Sequence, residues 1–521
     1  MIGIINIDNN LRTDGSCSAS CNSNEEMAMQ QDRSQAGGQQ PLNEQGARAD
    51  AGFGAEGGAM LRDIWAALGQ PATLLDHVRA VGLEVGQGDL PSVYAVTDLA
   101  AASVGAAALS MASLLARRQS RMPAVQVDRV LASRWFGYSI QPQGWSLPPA
   151  WDPISGDYET RDGWIKLHTN APHHRAAALR ALGLDSHDAA MRLETVAAVV
   201  RSACAGDLET EVVSQGGCAA QMHSAQAWAG HPQGIAVRAE PLLLIREFDA
   251  GLPGADWPLG TEKPLQGIRV LDLTRILAGP VATRFLAGYG AEVLRIDPLD
   301  WDEPALAPEV TLGKRRARLD LRSGDGVATF ERLLAQADVL VHGYRSDALE
   351  KLGLGAQRRR ELNPGLVDVC LDAYGWTGDW RARRGFDSLV QMSSGIAEAG
   401  MRIQGKSVPT PLPVQALDHA AGYLLAAAVL RGLERRLDHG AGSSTRASLA
   451  RTAAMFTQHS LPRRRETAAL PEAQASDYAG HIERTPWGPA RRMLPPCAIT
   501  GTPMYWTVPA GNLGDSAPAW F

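Results

Sequence analysis

Two aspartates stand at the head of long runs of small apolar residues. Asp418 lies in PLPVQALDHAAGYLLAAAVLRGLERR and Asp98 in VTDLAAASVGAAALSMASLLARR. A carboxylate at such a place has two uses. It caps the helix by accepting N–H groups of the first turn, or it stays ionised at the positive helix end and attacks an electrophile such as a thioester carbonyl. On residue type alone the cap is the commoner use at both positions. A third acid, Asp387, closes the triplet Gly385-Phe386-Asp387 and leads a further helix in YGWTGDWRARRGFDSLVQMSSG. On residue type it reads as a helix cap.

Cations accompany these acids. Lys314 and Arg315 sit in the turn GKRRARLDLRS, Arg345 and Lys351 in VHGYRSDALEKLGL, and Arg384 just before the triplet. Such side chains suit phosphate groups, arginine adding bidentate geometry. The alternative for each is a solvated surface charge. The cluster HTNAPHH brings His168, His173 and His174 together, but its spacing matches no strong zinc pattern and no cysteine accompanies it, so no metal is expected. GxSxG and HExxH motifs do not occur in the chain, which leaves hydrolase and zincin readings without support.

The elements that position these groups are legible in PLQGIRVLDLTRILAGPVATRFLAGYGAEVLRIDP, Pro264 to Pro298. It reads as strand, tight loop, helix, strand, the opening of a doubly wound, mostly parallel α/β sheet whose helix N-termini favour phosphates. No GxGxxG occurs in it, so a dinucleotide fingerprint is missing. Ile276 and Ala278 fall in the first βα loop, where backbone can approach a nucleotide or simply pack. Strands follow at ADVLVHGY and GLVDVCLDAYG, with helices between them, as a parallel sheet requires.

Composition sets the outer bounds. The chain has 521 residues, 45% hydrophobic and 20% charged, with net charge −6. That is globular composition with no sign of a nucleic-acid or anionic-membrane partner. Six scattered cysteines and no basic secretory leader fit a reduced, cytoplasmic protein. Leu99 to Ala116 approaches membrane-spanning length, but its Ala, Gly and Ser content predicts a buried helix. Residues 1–57 are polar and predicted disordered, and Cys17 and Cys21 there read as a bland tail. The stretch after Met60, including LLDHVRAVGLEV, is predicted helical. A shift of about 320 residues lays Asp98 on Asp418 and VQVDRVLA on TRASLART, which suggests two copies of one element.

The wording VLDLTRILAGP followed by GAEVLRIDP resembles the opening of the family III CoA-transferases, a superfamily that includes formyl-CoA and carnitine CoA-transferases and acyl-CoA racemases. The resemblance covers residues 60–521 and is strongest over 264–455. It implies that Asp418 is the catalytic nucleophile and that Lys314, Arg315, Arg345, Lys351, Arg384, Ile276 and Ala278 meet coenzyme A, with Asp387 and Asp98 as auxiliary candidates. CoA would enter as substrate, and no metal is implied. Departures are Gly313 in place of the family's Asn, and His342-Gly343 in place of Glu-Asn. The racemase branch places a histidine where this chain has Phe386, and one base cannot serve both faces of an α-carbon. The implied activity is CoA transfer from an acyl-CoA to a carboxylic acid. The alternatives are a catalytically silent CoA-binding subunit and, less favoured, a racemase.

The order of parts departs from the family as well. The expected division is a tail (1–57), a helical segment like the catalytic-helix region (58–150), a small α/β domain (151–241), a linker (242–263), the CoA domain with Asp418 (264–455) and a C-terminal extension (456–521). This suggests a fused, partly deleted tandem in which the N-terminal half supplies the small domain. A homodimer and an intrachain pseudo-dimer are both compatible with it.

Overall fold

The computed structural model describes residues 52–119, 121–248, 257, 259–465 and 468–521. Most of the predicted tail, with Cys17 and Cys21, lies outside the described residues. Its proposed end at residue 57 falls inside the first helix, α1 (Gly54–Ala67).

Strand β1 (Val78–Val81) follows, then the long helix α2 (Val96–Ala116), strand β2 (Val125–Asp128) and helix α3 (Arg129–Trp135). The stretch LLDHVRAVGLEV is therefore not a helix. A short 3-10 turn, Ala72–His77, leads into β1, where Val78 and Ala80 are buried in alternation with Arg79. The alternating pattern pairs β1 parallel to β2, and that tertiary pairing overrides local helix propensity. The small domain follows with β3 (Gly156–Thr160), β4 (Gly163–Leu167), helix α4 (Pro172–Ala181), helix α5 (Ala205–Ser214) and β5 (Ala219–Gln221), its strands forming an antiparallel sheet.

The second half is built on β6 (Leu244–Phe248), β7 (Arg269–Leu273), helix α6 (Ala278–Gly288), β8 (Glu292–Asp297), β9 (Lys314–Arg318), β10 (Val339–His342), β11 (Val367–Asp372), helix α7 (Asp387–Ser393), helix α8 (Ala416–His439), β12 (Gly442–Ser448) and helix α9 (Leu449–His459). Seven strands make one sheet in the order β9-β8-β7-β10-β11-β12-β6. All pairs are parallel except β12 with β6. The predicted linker 242–263 thus contains the edge strand of the large sheet. The last strand, β13 (Cys497–Ile499), runs antiparallel to β2, so the C-terminal extension closes the sheet of the N-terminal segment.

Helix α2 meets the length and hydropathy of a membrane span, yet it is buried along its length. A helix apolar on every side belongs inside protein or lipid; here α1, α8 and β2 cover it. Small residues let these helices approach closely. A Cβ at Gly422 of α8 would lie 2.5 Å from the Ala278 carbonyl oxygen. Glycine there lets α8 press against the start of α6 and brings Asp418 to the mouth of the first βα turn.

Candidate active site

The order of the six parallel strands reverses between β7 and β10. The carboxyl ends of those two strands diverge there, which is where open α/β sheets bind ligands. A cavity of about 390 Å³ occupies this crevice. Its walls include Ile276 and Ala278 from the first βα loop, Arg345, Arg384, Phe386 and Asp418. Five of the residues expected at the site, Ile276, Ala278, Arg345, Arg384 and Asp418, therefore share one cavity.

The βα loop is held rigidly. Fully buried Asp272 accepts hydrogen bonds from Thr274 N–H (2.9 Å) and Oγ1 (2.5 Å), Thr283 Oγ1 (2.6 Å) and Lys314 Nζ (3.0 Å). Burial pushes its carboxyl upward, but Lys314, Arg295 and the two hydroxyls outweigh it and hold the group below the usual range. Ile276 adopts φ 65°, the only non-glycine residue with positive φ among the described residues. For a β-branched residue this backbone is strained. Glu303 Oε2 fixes it by accepting the Ile276 N–H at 2.9 Å, and Glu303 is anchored in turn by buried Arg295 at 2.6 Å. Ala278 and Gly279 at the start of α6 line the cavity, and their N–H groups have no hydrogen-bond partner among the described residues.

Lys314 belongs to this support and not to a ligand. Its ammonium is fully buried between Asp272 and the Pro280 carbonyl (3.0 Å), and burial pulls it down to about 8. The Lys314→Met variant leaves the Asp272 carboxylate buried without its cation, and an unfolding free energy about 3 kcal/mol lower is expected. Urea titration checks this: Asp272→Asn/Lys314→Met should lose less than Lys314→Met alone, and an unchanged midpoint for Lys314→Met would refute the role.

Asp418 is the third residue of α8, and its carboxyl accepts no hydrogen bond among the described residues. The cap reading of Asp418 is therefore wrong. The N-cap, Gln415, gives no side-chain bond either. The cap comes from another segment: Asp387 Oδ2 accepts the Asp418 N–H at 2.9 Å, and the carboxylate also meets the Leu417 N–H. Gln391 donates to Asp387 Oδ1 and accepts the Leu412 N–H at 2.7 Å. Gly385 permits this arrangement, because a Cβ there would lie 2.6 Å from Ala373 Cβ and from the Tyr374 ring. Asp387 thus caps the helix of Asp418 rather than its own. Burial raises both carboxyls, and the charge of Asp387 raises Asp418 further.

The small domain forms the opposite wall. Arg384 donates to the Gly216 carbonyl at 2.9 Å, and Arg383 bonds Glu209 (2.7 Å) and the Ala219 carbonyl (2.8 Å). Phe386 stacks on His168 at 3.9 Å and meets the edge of His174 at 5.8 Å. His173 and His174 line the cavity. Burial, with His173 and Arg384 nearby, lowers His174 to about 3, and neither of its ring nitrogens has a hydrogen-bond partner among the described residues. Sequence reasoning weighed these histidines only as metal ligands; their place beside the triplet depends on a domain contact that local spacing does not encode. Among the described residues no group of three His, Cys, Asp or Glu is placed to hold a metal ion.

Three other expected residues stand elsewhere. Arg315 bonds the Ala519 carbonyl (2.7 Å) and lies over the Phe521 ring, because the C-terminal segment crosses β9. Lys351 is 70% exposed and paired with Asp347. Asp98 is buried in a 2.7 Å ion pair with Arg129 and lines none of the cavities described here. The pair occupies the carboxylate, so Asp98 is not free to attack.

Asp98 is nonetheless the geometric counterpart of Asp418. Each is the third residue of its helix, behind an N-cap of nearly the same backbone: Ala95 at φ −81°, ψ 65° and Gln415 at φ −76°, ψ 66°. Each helix precedes a strand that ends in a side-chain cap: Asp128 accepts the Leu131 N–H, and Ser448 the Arg451 N–H. The two long helices pack against each other.

The model of CoA-transferase family III matches residues 265–485. An acyl-CoA transferase of Gibberella moniliformis is 30% identical over 313 residues, 56% of this chain and 54% of its own length. A probable fatty acyl-CoA transferase of Mycobacterium tuberculosis is 35% identical over 192 residues, 34% of this chain and 48% of its own. The succinyl-CoA:glutarate CoA-transferase of Mus musculus is 29% identical over 266 residues, 48% of this chain and 57% of its own. The chain thus spans about half the length of the curated relatives it matches. Among solved structures, a CAIB/BAIF family protein of Brucella suis is 24% identical over 44% of this chain and 65% of that one, with TM-score 0.35. Residues 265–485 of the chain are thus similar to CoA-transferase family III.

Proposed function

We propose that the chain is a CoA-transferase that moves CoA from an acyl-CoA to a free carboxylic acid, with Asp418 as the nucleophile. The observation that carries this reading is the placement of Asp418: a carboxyl without a hydrogen-bond partner among the described residues, on a helix capped by Asp387, in a crevice that also presents Arg345, Arg384 and the start of α6. Relatives named as acyl-CoA and succinyl-CoA transferases support it.

In the proposed reaction an Asp418 oxygen attacks the thioester carbonyl of the donor. The C–S bond breaks, leaving a mixed anhydride and CoA thiolate. The thiolate attacks the aspartyl carbonyl, forming an aspartyl-CoA thioester and releasing the donor acid as carboxylate. The acceptor carboxylate then attacks this thioester, expelling CoA thiolate and forming a second anhydride. The thiolate attacks the acceptor's acyl carbon, which gives the new acyl-CoA and restores Asp418. Each step exchanges one acyl bond for another, as covalent catalysis requires.

Two sources of oxyanion stabilisation are ruled out by hydrogen bonding. The N–H groups of Leu417 and Asp418 are taken by Asp387, and those of Gly216 and Gly217 by Val213 and Val212. The Ala278 and Gly279 N–H groups are open for the developing charge. The described cysteines are free, in keeping with a reducing, cytoplasmic setting. Incubation with a panel of acyl-CoAs and hydroxylamine, followed by peptide mapping, tests the proposal. A hydroxamate on Asp418 is expected; CoA binding with Asp418 left unmodified would favour a silent CoA-binding subunit.

A further inference from the structure

A second, smaller cavity of about 140 Å³ adjoins the crevice, and Arg345 lines both. It lies on the face of the large sheet where β10, β11, β12 and β6 present His342, Asp368, Arg446 and Arg246. Five arginines line it, Arg246, Arg345, Arg359, Arg360 and Arg446, against two carboxylates, Glu350 and Asp368. Much of this charge is uncommitted. Arg359 is the arginine bound to Asp368, at 2.7 Å. Arg446 lies over the Trp376 ring at 4.8 Å and Arg360 over Phe248 at 4.7 Å. Arg246, Arg345, Arg360 and Arg446 pair with no carboxylate among the described residues. His342, 6% exposed, contributes a buried Nδ1 that has no hydrogen-bond partner among the described residues.

Guanidinium groups gathered in one small pocket repel one another, and five of them against two carboxylates leave an excess of positive charge that an anion matches. Aromatic faces under Arg446 and Arg360 fix their orientation without consuming their N–H donors. The link through Arg345 identifies the anion's source. CoA carries a pyrophosphate and, on the ribose, a separate 3′-phosphate. Ala278 and Gly279 line the main crevice, whereas the small cavity is lined by Arg345 and Ser346, just after β10.

We infer that this arginine pocket is a phosphate subsite that takes the 3′-phosphate of a CoA bound in the adjoining crevice. The inference rests on the CoA reading above and adds to it a means of distinguishing CoA from 3′-dephospho-CoA.

Calorimetric titration of the full chain with both compounds at low salt tests it. The wild type is expected to bind CoA roughly tenfold or more tightly than dephospho-CoA, the scale of charge-assisted phosphate contacts. Arg246→Gln/Arg446→Gln should bind the two equally, with dephospho-CoA affinity unchanged. Arg246→Gln alone, at an exposed edge-strand position, should reduce the preference in part. Equal binding of both compounds by the wild type would overturn the subsite and leave the CoA reading intact, as would a double variant that keeps the preference. Inorganic phosphate that binds equally well to the CoA-saturated protein would mean an independent anion site and also refute the inference. Failure of both nucleotides to bind would remove the CoA reading itself.

Discussion

Asp418→Asn is expected to abolish hydroxamate formation, lower CoA transfer by about 10⁴-fold or more, and raise the melting temperature at neutral and alkaline pH. Loss of activity with a gain of stability separates a nucleophile from a structural acid. The wild-type carboxyl is buried, and Asp387 sits near it with the same charge, so its pKa stands well above the ordinary value. A group raised in the folded state stabilises fully below its unfolded pKa of about 4, and that contribution is lost as pH rises through the folded value. Asparagine carries no such titration. The melting difference between Asp418→Asn and wild type should therefore be near zero at pH 4 and widen steadily as pH increases. A variant that melts below wild type at pH 8 would mean that the carboxylate is a partner in a stabilising contact, and the nucleophile assignment would lose its physical basis.

How much of this site was legible in the chain depends on the range of the contacts involved. The first βα unit announced itself through strand, turn and helix within Pro264 to Pro298, all of it local. The helix at Asp418 followed from the apolar run behind it, but the structure starts that helix at Ala416 and makes Asp418 its third residue and not the residue before it. Charge, by contrast, misled wherever its partner lay far along the chain. Lys314 looks like a phosphate clamp in GKRRARLDLRS until Asp272 meets it from β7 inside the core. Arg315 looks equally available until Phe521 covers it. A sequence records that a side chain is charged, but not whether a distant carboxylate already neutralises it.

The same limit hid the far wall of the crevice. HTNAPHH resembles a ligand cluster because three imidazoles are close in sequence. In the fold, His168 instead stacks on Phe386, more than two hundred residues away, and His174 points toward the same ring. The repeat was visible only as a faint alignment of Asp98 with Asp418. Its strongest support lies in backbone angles: two N-caps share a ψ near 65° that helix starts seldom adopt. One copy keeps an open carboxyl over a cavity, and the other has Arg129 against it. A single cation thus distinguishes the occupied carboxylate of the pair from the open one.

Asp387 offers the second large effect, and its two variants should part company. Asp387→Ala removes the acceptor for two N–H groups at the head of α8, so the helix start and Asp418 lose their fixed position. A loss of about 1 kcal/mol or more is expected from the missing cap, with kcat down about 10²-fold. Asp387→Asn keeps an acceptor oxygen and removes the charge, so most of the stability should return. The remaining difference is electrostatic. The Asp387 charge raises Asp418, so its removal lets Asp418 ionise at lower pH. The acid limb of the pH profile for adduct formation should shift downward in Asp387→Asn relative to wild type. Single-turnover rates measured between pH 4 and 8 supply the test. A merely structural Asp387 would alter the height of the profile and leave its midpoint in place; an upward shift would show that the two carboxyls do not interact as their geometry requires.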